Sequence, residues 1–185
     1  MQKKIFVLFI MSIILCSNNG FSQSLNGHEY VDLGLPSGTK WAKCNIGAKT
    51  PESYGDLFAW GETKTKANYG GQGYCFNGEV SSTLKKYSSE TTVKHGEKPD
   101  NLLVLEAVDD AATANWGEGW RMPTDADFGE LLSNCTATWT TQNEIKGYIF
   151  TGPNGNSIFL PAAGWCSTDN VIDRGSSGCY WSKSL

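Results

Sequence analysis

The chain has 185 residues, 39% of them hydrophobic, with 15 basic and 19 acidic residues and a net charge of −4. That length and apolar content suffice for one domain with a buried core. No basic run or stripe appears, which argues against nucleic acid or an anionic membrane as partner.

Lys3 and Lys4 precede an apolar run from Ile5 to Leu15, broken only by Ser12. Gly20-Phe21-Ser22 then places small residues at the two positions a signal peptidase reads. These are the three parts of a secretory signal. The run is shorter than the ~20 residues a membrane-spanning helix needs, and no later segment is longer and as apolar. Cleavage after Ser22 is expected, giving a mature chain of 163 residues (185 minus 22) that starts at Gln23 and forms one domain over 23–185. Cys16 offers a rival reading, a lipid-anchored cysteine, but Leu15 stands where that chemistry wants a small residue. Loss of Lys3 and Lys4 leaves 13 basic against 19 acidic residues, a net charge of −6. The expected location is secreted or at the cell surface.

The mature part begins as β-structure. Glu29–Leu33 reads as a short strand, Leu35-Pro36-Ser37-Gly38 as a turn, and Thr39–Ile46 as a second strand. Asp56–Trp60 is a further apolar strand. From Lys64 to about Pro99 the chain is rich in Gly, Ser, Thr and Lys without a sustained period, an irregular excursion with Gly70-Gly71 and Gly73 at a loop tip.

Asp109 is placed to cap a short helix over Asp110–Asn115, closed by Gly117. Thr124 caps the next, with Asp127 reaching back as a shortened capping box. Phe128, Leu131, Leu132 and Cys135 then fall on one apolar helix face. Lys146–Thr151 and Ser157–Pro161 read as strands around Gly152-Pro153-Asn154-Gly155-Asn156, a loop with an Asn-Gly step. Gly178–Ser182 is expected as a last strand. Strands, then helices, then strands predict an α+β fold with a mainly antiparallel sheet.

Five cysteines follow Ser22: Cys44, Cys75, Cys135, Cys166 and Cys179. None stands in C-x-x-C spacing, and His28 and His95 are far apart, so no usual zinc site is expected. Asp109 and Asp110 lack the spaced acids that would complete a calcium shell. No metal and no cofactor is therefore expected. Two histidines without a G-x-S-x-G segment make no hydrolase constellation.

The segments YVDLGLPSGTKWAKCNIGA (30–48), PESYGDLFAWGE (51–62), DDAATANWGEGWRMPT (109–124) and TGPNGNSIFLPAAG (151–164) resemble the Fibrobacter succinogenes major paralogous domain of exported Bacteroidota proteins. The block WRMPTDADFGELL (120–132) also resembles a segment of the formylglycine-generating-enzyme superfamily. The resemblance implies a C-type-lectin-like fold, a small twisted sheet with two helices and long loops on one face. It also implies either an oxidase or a binding protein with diversified late loops. The oxidases need a closely spaced cysteine pair near the C-terminus, whereas Cys166 and Cys179 lie 13 positions apart. In the family the Y-W-S-x-S strand is usually followed by a further hairpin. Its absence here predicts an open edge along Glu29–Leu33 and marginal stability.

The stretch Trp165–Gly178 falls between expected strands, where ligand-binding relatives vary. Trp165, Asp169, Asn170, Asp173 and Arg174 combine an aromatic face with amide, carboxylate and guanidinium groups, a set suited to a sugar or a polar protein surface. A Cys166–Cys179 disulfide would close this loop of ~14 residues, worth ~3 kcal/mol in the chain-entropy model. Trp41, Trp60, Trp116, Trp120 and Trp181 are expected in the core. Arg121 is expected to anchor the turn before the second helix through backbone carbonyls. The expected function is a non-catalytic binding module for an extracellular glycan or protein. The alternatives are a formylglycine-generating-type oxidase and an adhesin, scaffold or inactive paralogue.

Overall fold

The computed structural model describes residues 23–70, 73–77 and 83–185. The expected signal peptide with Cys16, and Gly71 of the expected loop tip, lie outside the described residues.

The chain is mixed α+β, with small antiparallel sheets and two α-helices among the described residues. The first sheet joins β1 (Gln23–Leu25), β2 (His28–Asp32) and β3 (Lys40–Ala42) in that order. Asn26 and Gly27 connect β1 to β2 with φ of 53° and 83°, the left-handed backbone that a tight hairpin turn requires and that Asn-Gly tolerates. Tyr30 is paired to Gln23 on one side and to Ala42 on the other. The open edge expected along Glu29–Leu33 is therefore covered by β1 at Glu29 and Tyr30, whereas Val31 and Asp32 pair with β3 alone, and the edge strands of this sheet are β1 and β3.

The expected strand over Thr39–Ile46 stops at Ala42 because the chain turns away. Ala48 N donates to Asn45 O at 3.0 Å, and Asp56 N to Ile46 O at 2.8 Å. No strand forms over Asp56–Trp60. Side chains take its carbonyls in place of a ladder: the Tyr69 hydroxyl donates to Leu57 O, Trp181 Nε1 to Phe58 O at 2.8 Å, and the Tyr74 hydroxyl to Trp60 O at 3.0 Å.

The first helix, α1 (Ala111–Trp116), is capped one residue later than expected, by Asp110, whose carboxylate accepts from the N–H groups of Ala112 and Thr113 at 3.0 Å. Asp109 instead ends a 3-10 turn and binds Lys86 and the Tyr87 hydroxyl. Gly117 closes α1 as expected. The second helix, α2 (Asp125–Asn134), carries the full capping box between Thr124 and Asp127. Leu131 is buried on its inner face, but Leu132 turns outward and is 65% exposed.

A strand the sequence did not announce, β4 (Thr136–Gln142), pairs with β5 (Ile145–Thr151), and β5 with β6 (Ser157–Pro161). The expected loop Trp165–Gly178 contains a hairpin, β7 (Trp165–Ser167) and β8 (Asn170–Ile172). Gly178–Ser182 forms no strand. The C-terminal segment instead makes isolated bridges, Gly164 with Gly178 and Val104 with Ser184.

Side chains alternate across a strand, so the first sheet faces two cores. Val31 and Trp41, with Leu33, pack on Leu131, Phe150 and Ile158. Tyr30 and Ala42 pack on the second cluster, which includes Tyr87, Leu105, Trp120 and Met122. Gly152 lets the β5–β6 hairpin reach the first sheet: a Cβ there would sit 2.1 Å from Leu33 O. Asn154 and Asn156 complete the junction, their amides donating to Asp32 O at 2.9 and 2.8 Å.

Candidate functional site

A cavity of about 1320 Å³ opens where the two cores meet. Its walls come from β3, the 54–60 segment, α1, the turn before α2, the end of β6, and the segment 163–181. Aromatic side chains dominate the lining, among them Trp41, Tyr54, Trp60, Trp120, Trp165 and Tyr180. Sites for single drug-sized molecules run to ~300–1,000 Å³, so this space suits something larger.

The polar atoms on these rings are mostly committed to the backbone. Trp60 Nε1 donates to Ser182 O at 2.8 Å, Trp120 Nε1 to Leu25 O at 3.0 Å, and the Tyr180 hydroxyl to Pro161 O at 2.7 Å. Burial pushes the Tyr180 phenol up to about 12, so it stays protonated and donates. Trp41 has no such partner. Its Nε1 is buried and has no hydrogen-bond partner among the described residues. An orphaned buried donor costs roughly 1–3 kcal/mol.

The turn that forms one wall is held by an ion pair and a helix cap. Arg121 and Asp127 form a bidentate pair, with Nη2 to Oδ1 at 3.0 Å, and Asp127 also accepts from Thr124 N at 2.7 Å. The Arg121 guanidinium holds the Asp127 carboxyl well below the usual carboxylate range. Arg121 is thus structural, as expected, but its main partner is the carboxylate, with Met122 O at 3.1 Å as the one backbone carbonyl.

The five residues expected to bind ligand do not converge. Trp165 lines the cavity rim, 40% exposed, with Nε1 donating to Asp173 Oδ2 at 3.1 Å. Arg174 stacks over the Tyr54 ring at 4.7 Å. Asp169 and Asn170 bond to each other at 2.8 Å at the tip of the β7–β8 hairpin, outside the cavity lining. Trp165 and Asp173 therefore act together, Arg174 braces a wall, and the other two shape the turn.

The Cys166–Cys179 disulfide is not formed, and both are free thiols. The backbone closes this loop instead. Gly164 bridges Gly178, Cys179 N donates to Gly164 O at 3.2 Å, and Gly175 N donates to Ala162 O at 2.8 Å. The Cys166 thiol is engaged locally, 3.8 Å from Thr168 O. Burial raises the Cys44 and Cys135 thiols, and burial with the nearby Glu62 carboxylate pushes Cys75 up to about 11. Such thiols carry little thiolate at neutral pH. No group of three or more His, Cys, Asp or Glu placed to hold a metal occurs among the described residues, and no helix among them is long and apolar enough to cross a membrane.

Sequence reasoning assigned Trp41, Trp60 and Trp120 to the core and so missed their place on a cavity. Trp41 and Trp120 are indeed 9% exposed, while Trp181 is 54% exposed. The available signal was the density of tryptophan, seven in the chain. Comparison with protein-family models, with curated proteins and with solved structures found no match.

Proposed function

We propose that this chain is an exported, non-catalytic binding module of C-type-lectin-like fold, whose glycan or protein ligand lies in the aromatic cavity and against the β7–β8 hairpin at its rim. The observation that carries this reading is the cavity itself: about 1320 Å³, walled by tryptophan and tyrosine rings. Aromatic walls with a few fixed polar atoms are the usual make-up of a recognition site. The four sequence blocks that resemble the Fibrobacter succinogenes major paralogous domain support export and the lectin-like architecture. The 13 positions separating Cys166 from Cys179, where the related oxidases need a closely spaced pair, favour binding over redox chemistry.

The test is titration of the mature chain with arrays of glycans and of extended peptides, read by tryptophan fluorescence. A ligand is expected that binds, is recovered chemically unchanged, and loses about tenfold in affinity in Trp165→Ala. Conversion of a sulfatase-derived cysteine peptide to formylglycine would contradict the proposal.

A further inference from the structure

We propose that the cavity receives an extended polypeptide segment of another protein, which adds as a strand to the open edges of β3 and β6. This rests on the binding-module reading and names its ligand class. Backbone parity decides which groups of β3 face outward. Lys43 N donates to Glu29 O at 3.0 Å, so Glu29 and Lys43 are a hydrogen-bonded pair of the β2–β3 ladder. Antiparallel pairs alternate. Trp41 therefore spends its N–H and C=O on Val31, and those of Lys40 and Ala42 face the other way. Neither set finds a partner among the described residues.

The same parity holds at β6. Gly152 N donates to Asn156 O and Ala162 N to Lys146 O, both at 2.8 Å. The intervening alternation turns the N–H and C=O of Phe159 away from β5, again without a partner among the described residues. Phe159 is only 5% exposed, and buried backbone groups are rarely left unpaired. Lys40, Ala42 and Phe159 all line the one cavity that also holds Trp41.

Two sheet edges thus border the same aromatic space. An extended peptide meets that demand, because its donors and acceptors alternate along both edges at strand spacing, ~4.8 Å from each neighbour. A sugar offers hydroxyls but no such ladder. Aromatic walls then take the apolar side chains of the inserted strand. Asp56, exposed on the cavity wall, has no ion-pair partner among the described residues, so the segment is expected to carry a lysine or arginine.

The probe is a capped nine-residue peptide alternating Thr and Val with one central Lys, together with its twin N-methylated at alternate amides. Binding of the first is expected to slow amide exchange at Lys40 and Ala42 by about tenfold or more, the protection of a formed ladder. The twin is expected not to bind. Ala42→Pro removes one outward N–H while the bonds to Val31 belong to Trp41, and an edge strand tolerates proline there. That variant is expected to keep its melting temperature within a few degrees and to lose about tenfold in peptide affinity. Peptide binding without protection at Lys40 and Ala42, equal binding of the twin, or self-association of the chain through these edges would overturn the inference. A glycan binding in the cavity while the peptide does not would overturn it and leave the binding-module reading standing. Failure of both the glycan and the peptide panels would remove both.

Discussion

Asp110 and Lys183 join the middle of the chain to its C-terminal segment through a buried ion pair. The Asp110 carboxylate is fully buried, and Lys183 Nζ lies 3.4 Å from its Oδ2. The same carboxylate accepts from the backbone N–H groups of Ala112, Thr113 and Met122, each at 3.0 Å. One side chain thus caps α1, fixes the turn before α2 and holds the segment whose Ser182 carbonyl anchors Trp60. Removing one member of a buried pair strands the other. Asp110→Ala should cost roughly 3–5 kcal/mol, a fall in Tm of about 6–20 °C. A fall under about 2 °C in calorimetry would show that the pair is not structural.

Asp127 gives a pH signature. Its folded carboxyl is held far below the unfolded value of about 3.9 by Arg121 and by the Thr124 cap. A depressed pKa stabilises the folded state fully above the unfolded value, and that stabilisation is lost as pH falls towards the folded one. Asp127→Asn is expected to cost about 1–3 kcal/mol at neutral pH, tempered because the Arg121 side chain is 43% exposed. The gap between wild type and variant should stay constant from pH 7 to about 5 and narrow below about 4. Urea midpoints measured from pH 7 to 2.5 check this.

Two glycines should respond in opposite directions to alanine. At Gly152 a Cβ would meet Leu33 O at 2.1 Å and Leu33 Cβ at 2.8 Å, backbone and core that have no room to move. Gly152→Ala should cost roughly 3 kcal/mol or more by prying the β5–β6 hairpin from the first sheet. Gly129 lies in α2, and a Cβ added there would have open space for 4 Å around it, so Gly129→Ala should gain about 0.5–1 kcal/mol. Thermal melts of the two variants should move to opposite sides of wild type.

Local signals carried much of this fold. Thr124 and Asp127 announced α2 because a capping box is written in adjacent residues, and Asn154-Gly155 announced the β5–β6 hairpin for the same reason. The failures came where tertiary contacts overrode local pattern. Asp56–Trp60 has strand composition, yet the hydroxyls of Tyr69 and Tyr74 and the Trp181 indole took its carbonyls. Thr136–Gln142 went unread as β4 because it follows α2 without a turn signal and its side chains are mostly exposed. The site was legible only at Trp165. Trp41 reads as core on any periodicity argument, and no local pattern tells that its indole lacks an acceptor or that Lys40 and Ala42 face a cavity.

The central claim is that the aromatic cavity is a ligand site, and the indole N–H signals of the tryptophans test it most directly. In the free protein the Trp41 signal should lie upfield, as befits a donor without an acceptor, whereas Trp120, bonded to Leu25 O at 3.0 Å, should lie downfield. On titration with the Thr/Val peptide the Trp165 signal is predicted to shift at the rim, with the signals of the buried Trp41 and the bonded Trp120 unmoved. A saturating ligand that leaves the Trp165 signal where it began would contradict the cavity as the ligand site.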